Sequence, residues 1–476
     1  MRGSRAARFA LVLAVMLGLP LQSGADPGER TSTLADQRGV NLTIYNGSIA
    51  LVHDRRHVSL AKDENRIAWR DVSANMDPTT AILEDTSAPG AVRVLEQNFD
   101  FDVLKPQAIL DKYVGRDVTV VHEHEVAGRP LREKAKLLAD NDGIVLQYAN
   151  RVETALDGHI EFPSIPSDLR DRPTLVLDLQ SDTAADADLD LGYLTGGLAW
   201  HADYVGVVSP DDSHMDLNGL VTLSNTSGTS FNDAHLQLVA GNVNVPPPSG
   251  PVLKLMARAT ASSLQPQFVQ ENYFEYHLYT LQRTTTIGNN QTKQVALLSA
   301  RNVPIEKTLE LRGTDQNYYY GPMGDLGAKL KIGVYETFTN KDGDLGIPLP
   351  GGIVRLYKND AAGTSLFLGA DRIDHTPRNE DVRLHLGDSF DVTANKKQTN
   401  FLSDKCTYQS SYEIVVKNAK TDPATVLVVE PIPGVWTITQ ENLPHQKTSS
   451  ATATWTVAAP AGGSAKLEYT AVVKDC

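Results

Sequence analysis

Period-two alternation of apolar and polar residues constrains this chain most, because it recurs in nearly every segment and helical periodicity of three or more turns is hard to find. Val221 and Leu223 alternate with Thr222 and Ser224. Ala234, Leu236 and Leu238 alternate with His235 and Gln237, and Tyr412, Ile414 and Val416 with polar or charged neighbours. Successive side chains of a strand point to opposite faces, so such a pattern specifies antiparallel sheets with one face buried and one wet. Turn chemistry punctuates the runs, as at Asn141-Asp142-Gly143 and Gly288-Asn289-Asn290. The expectation is an all-β chain of several antiparallel β-sandwiches.

Composition shifts divide it. Residues 1–25 read as a secretory signal peptide: Arg2, Arg5 and Arg8 precede an apolar run from Phe9 to Leu21, which closes on Ser23-Gly24-Ala25. The run is too short for a transmembrane helix, and no later segment reaches the length of a span. The expected location is therefore periplasmic or secreted, with cleavage near Ala25. Residues 26–105 read as an N-terminal sandwich portion. Residues 106–168 form a small insert: a short helix at Pro106–Tyr113 and then several short strands, which suggests an SH3-like barrel. Residues 169–388 read as a central sandwich region. Residues 389–476 read as an immunoglobulin-like sandwich, with Trp436 and Trp455 supplying core mass. Pro246 to Gly250 reads as a stiff linker or long loop.

Charge excludes some partners. With 44 basic and 58 acidic side chains the net charge is -14, and loss of the three leader arginines gives 41 - 58 = -17. Nucleic acid requires a basic surface, so it is not an expected partner. Cys406 and Cys476 are the two cysteines, and in an exported chain they read as a disulfide.

Candidate chemistry is sparse. His122 and His124 share a strand face and could offer two imidazoles to a metal, although the sequence names no third ligand. Glu275 and His277 share a face of the expected strand Tyr273 to Leu281, a pairing that acid–base chemistry uses and that polar sheet faces also show. Asn340-Lys341-Asp342-Gly343-Asp344 imitates the start of a calcium loop but has Leu345 where a glycine and Gly351 where a glutamate belong, so it reads as a hairpin turn. Asp186, Asp188 and Asp190 read as the wet face of a strand. Tyr318, Tyr319 and Tyr320 form an aromatic cluster suited to gripping a sugar or a protein. Trp200, Asp203 and Tyr204 concentrate aromatic and polar groups in a strand run. No GxSxG or phosphate-loop motif is present. No cofactor is expected.

Several segments resemble a bacterial family known as mucoidy inhibitor A-like proteins, a domain of unknown function. They are YNGSIALVHDRRHVSL, GGLAWHADYVGVV, NGLVTLSNTSGTSFNDAHLQLVAGNVN, FEYHLYTLQRTTTIGNNQTKQVALL, GIPLPGGIVRLYKND, FLGADRIDHTPRNEDVRLHLGDSFDV and WTVAAPAGGSAKLEYTAVV, in that order along the chain. The resemblance implies an exported or envelope multi-sandwich protein and assigns no catalytic residue. Longer members carry a coiled coil after the N-terminal sandwich, an interval that the small insert occupies here. Residues and resemblance together point to a non-enzymatic envelope protein that binds a protein or polysaccharide. The alternatives are an exported metal-dependent hydrolase and a self-assembling scaffold.

Overall fold

The computed structural model describes residues 28–474 except 101–103, 127–128, 142, 167–168, 242, 244–266, 319–320, 342 and 344; the side chains of 124–126, 129 and 273 are also outside the description. The leader, the Pro246–Gly250 linker, Tyr319, Tyr320 and Cys476 therefore lie outside the described residues. Strand makes up 66% of the described residues and helix 4%, so the architecture is a multi-sheet, all-β one. The chain divides into two units. One comprises the residues up to Gly39 with His53–Tyr193, the other Val40–Val52 with Leu194 onward.

In the first unit, Thr174–Ser181 lies between Asp63–Arg70 and Val92–Asp100, antiparallel to both. Leu175, Val176, Leu177 and Leu179 of this strand are all buried, as a strand covered on both faces requires. A buried ion pair sits beneath it. Arg56 is fully buried and bonds Asp54 at 3.0 and 2.7 Å. It also donates to the carbonyls of Ser32 and Arg70 and lies 4.7 Å from the centre of the Trp69 ring. Trp69 Nε1 donates to Asp54 as well. So full a set of partners is what a charge needs to leave water. On the expected wet face Asp186 is exposed and Asp188 and Asp190 are half-buried; the three carboxylates meet Ser59, His57 and His53 respectively.

The insert opens with the helix Pro106–Tyr113, which has proline in its first turn. Five antiparallel strands follow in the order Val152–Glu153, Val145–Gln147, Arg129–Ala139, Asp117–Val126, His159–Glu161. Tyr113, Val118, Val120, Leu137, Leu146 and Tyr148 form its own core. The sheet stays open where a barrel was expected, because its edge strands are only two and three residues long.

In the second unit, Leu198–Val208 is central to a five-stranded sheet. It runs antiparallel to His214–Asn225 and parallel to Gly352–Asn359, and Ser365–Ile373 closes that side. A nine-stranded sheet runs from Val435–Glu441 at one end to Gln446–Ser449 at the other. Trp436 and Val473, near one end, share a core with Val428 and Trp455, near the other. The two halves therefore face each other as a sandwich. This sandwich begins well before residue 389, since Glu306–Arg312 and Asp325–Thr339 are among its strands. The strand Asp381–Asp404 passes through the expected boundary without a break. Gly387, at φ +137°, bends this continuous strand. Val382 and Leu384 before the bend pack in one core, and Val392 and Ala394 after it in another.

Candidate functional site

The residues singled out in the sequence do not converge. On Leu198–Val208, Trp200 and Tyr204 share one face and Asp203 takes the other, as alternation demands. The Tyr204 hydroxyl donates to the Pro350 carbonyl at 2.8 Å, and the Tyr279 hydroxyl to the Pro348 carbonyl at 2.7 Å. The two tyrosines thus pin the Pro348–Gly352 segment, whose Gly352 has no room for a Cβ: it would sit 2.2 Å from the Ala202 carbonyl. Asp203 is buried and accepts from Thr222 at 2.7 Å and Arg355 at 2.8 Å, with His201 at 3.1 Å. Burial alone would raise its pKa, but these three partners outweigh it and hold the carboxyl far below its ordinary range. That is a satisfied structural network.

Glu275 and His277 do not share a strand face. Phe274, at φ +56°, and Glu275 form the turn between Phe268–Tyr273 and Tyr276–Leu281, and Glu275 is exposed. His277 Nδ1 instead lies 3.1 Å from both Gln270 and Asn272 across the hairpin. His375, which sequence reasoning missed, lies 2.9 Å from Asn46 and accepts from the Gly351 amide at 3.1 Å. Burial, with His277 adding to it, keeps His375 below the ordinary imidazole value against the pull of Asp374.

His122 is buried and engaged by Glu133 at 3.1 Å and Asp157 at 3.6 Å, and the His124 side chain is outside the description. Among the described residues no three His, Cys, Asp or Glu side chains are placed to hold a metal ion. Tyr318 is fully buried, not an exposed grip: its hydroxyl meets Glu430 at 3.1 Å and Tyr469 at 2.9 Å.

A different constellation has the features of a binding site. Asp212 sits at φ +58° in the tight turn after Leu198–Val208, where its amide bonds the Ser209 carbonyl. Its carboxylate receives Lys307 at 2.8 Å and also Lys358. Each ammonium has three donors, so one carboxylate leaves capacity on both. Glu336 lies opposite Lys307 in the strand register and is 4% exposed. Its Oε2 is buried without a hydrogen-bond partner among the described residues. These four residues, with Val334, Leu368, Leu386 and Asp388, line a cavity of about 260 Å³. Burial pushes the Glu336 carboxyl up to about 7, Asp212 adds to the rise, and Lys307 and Lys358 oppose it. Near neutrality the cavity therefore presents two ammoniums, the carboxylates of Asp212 and of Asp388, the latter paired with Lys331 at 3.0 Å, and one carboxyl that can still donate a proton in a hydrogen bond.

Beside it, the outermost strand Ser365–Ile373 exposes three consecutive apolar side chains, Leu366, Phe367 and Leu368, and Phe390 on Asp381–Asp404 is 95% exposed. In the C-terminal sandwich a second cleft, of about 420 Å³, is lined by hydrogen-bonding groups that include Asn400, Gln440, Asn442 and Glu468.

One signal for the cavity was present in the sequence. Val334, Glu336 and Phe338 are two residues apart, so a carboxylate stands in phase with an inward apolar face. The lysines and Asp212 gave no sign, because Lys307 stands in the nine-stranded sheet, Lys358 in the five-stranded one and Asp212 in a turn, and only the packing of these elements brings the three together.

Residues 189–474 match the family described as "Domain of unknown function (DUF4139)". A comparison with curated proteins found no match.

Proposed function

The chain belongs to the DUF4139 family, and from that premise we propose an exported, envelope-associated, non-enzymatic binding protein of the mucoidy inhibitor A-like kind, whose partner is a protein. The observation that carries this reading is the run Leu366, Phe367 and Leu368, exposed side by side on a strand whose outer edge closes its sheet. An edge strand offers unpaired backbone donors and acceptors, and an apolar edge left uncovered is a template for strand addition. The expected result is that a photoreactive residue at position 367 gives one discrete protein adduct in intact cells. Phe367→Asp should abolish co-purification of that same protein. An adduct pattern no different from that of a probe at exposed Val152 would overturn the assignment.

A polysaccharide partner is the second reading, favoured by the amide- and carboxylate-lined cleft near Asn400 and Asn442, since sugars are held by such groups. It requires Asn442→Ala, not Phe367→Asp, to remove binding.

Export has a covalent consequence. Thr407, next to Cys406, stands opposite Lys474 in the sandwich register, two positions short of Cys476 in the chain. A Cys406–Cys476 disulfide follows for an oxidising compartment. Thiol titration of the denatured protein should find no free thiol, and two reactive thiols would exclude the bond.

A further inference from the structure

We propose that the cavity between Asp212, Lys307, Lys358 and Glu336 receives the C-terminal carboxylate of a peptide that lies along the Ser365–Ile373 edge. This rests on the protein-partner reading above and names what that partner must carry.

Four observations lead there. Lys307 and Lys358 share a single carboxylate, Asp212, and retain donor capacity. Asp388, the other carboxylate of the lining, is paired with Lys331 at 3.0 Å, so while Glu336 is protonated one positive charge of the lysine pair is left for an anion. Glu336, nine-tenths buried, presents an oxygen with no partner among the described residues. In its protonated form that carboxyl is a donor, which an incoming carboxylate can use and a cation cannot. Val334, Leu368 and Leu386 supply an apolar wall, suited to the side chain that accompanies an α-carboxylate. The exposed stretch Leu366–Phe367–Leu368 ends at the cavity, because Leu368 belongs to both. An extended peptide paired along that edge would thus bring its last residue to the ammoniums. Charge complementarity and continuity with the exposed edge together favour this occupant over an isolated ion.

The charged groups that face Glu336 are Lys307 from the neighbouring strand, Asp212 and Lys358 across the cavity, and Asp388 from the strand Asp381–Asp404. The protonated fraction of a group titrating near 7 falls from about nine-tenths at pH 6 to about one-tenth at pH 8. Affinity that requires the proton falls about tenfold with it.

The test uses the full chain and two probes followed by NMR titration, N-acetyl-leucine and N-acetyl-leucinamide. The acid should bind and the amide should not, with the acid about tenfold tighter at pH 6 than at pH 8. Lys358→Ala should weaken the acid at least tenfold. Glu336→Gln, whose amide still donates, should keep binding and lose the pH dependence. Equal binding of acid and amide, or equal competition by inorganic phosphate, would overturn the site, as would an unchanged Lys358→Ala. Loss of the carboxylate effect while the position-367 adduct persists sinks only the cavity; the converse sinks only the partner surface.

Discussion

Replacing Lys396 with methionine should remove about 3–5 kcal/mol of stability, the cost of leaving a buried carboxylate without its counter-charge. Lys396 and Glu430 are 4% and 0% exposed, and the ammonium lies 2.7 Å from both carboxylate oxygens. Tyr318 adds a hydroxyl donor at 3.1 Å, and Lys396 also lies 5.1 Å from the centre of the Tyr412 ring. The backbone is packed against the pair: a Cβ on Gly313 would meet the Glu430 carboxylate at 2.2 Å. The single variant strands Glu430 with hydroxyl partners only. The double variant Lys396→Met/Glu430→Gln removes both charges and still leaves an oxygen for Tyr318 to donate to, so it should recover most of the loss. Urea unfolding of wild type, single and double variants measures this. A double variant as unstable as the single one would show that packing, and not the unpaired charge, set the cost.

The same pair shows what could be read before the fold was known. Alternation located the sandwich core well: Tyr412, Ile414 and Val416, and Leu467, Tyr469, Ala471 and Val473, are all buried as their phase requires, and so are Trp436 and Trp455. Period two is a local property, so each strand carries its own signal. The polar centres are long-range. Lys396 continues the inward phase of Val392 and Ala394, and Glu430 that of Val426 and Val428. Each therefore stood out as a charge on an apolar face. That they answer each other is decided by a sheet that folds back on itself, which no local pattern encodes. Tyr318 misled for the same reason, since a tyrosine-rich loop carries no mark of the carboxylate it covers. Glu275 misled for a smaller one: Phe274 adopts a positive φ that its side chain does not advertise, and the turn it makes takes Glu275 out of the strand. The boundary expected at residue 389 falls inside Asp381–Asp404, because local alternation does not tell one strand that passes from core to core from two separate strands.

Between pH 5 and pH 8 the wild-type protein should lose up to about 3 kcal/mol of stability through Glu336 alone, and Glu336→Gln should not. The carboxyl rises from an ordinary value of 4.5 to about 7 in the fold, chiefly because burial penalises the charged form. Across that interval the folded state holds a proton that the unfolded chain has released. Unfolding therefore releases a proton, and stability falls as pH rises through the window; below 4.5 both states are protonated and the penalty vanishes. At about 1.4 kcal/mol for each pH unit, a displacement from 4.5 to about 7 gives the stated size. Glutamine keeps the shape and cannot ionise, so the two proteins should match near pH 4.5 and separate steadily above it, with the variant the more stable at pH 8. Urea unfolding at four pH values reads the divergence directly, and parallel curves would mean that Glu336 is solvated or paired. The sign also links stability to occupancy. A carboxylate ligand that accepts the Glu336 proton in a hydrogen bond favours the protonated form, so saturating N-acetyl-leucine should move the upper end of the wild-type decline to higher pH and leave Glu336→Gln without any such shift.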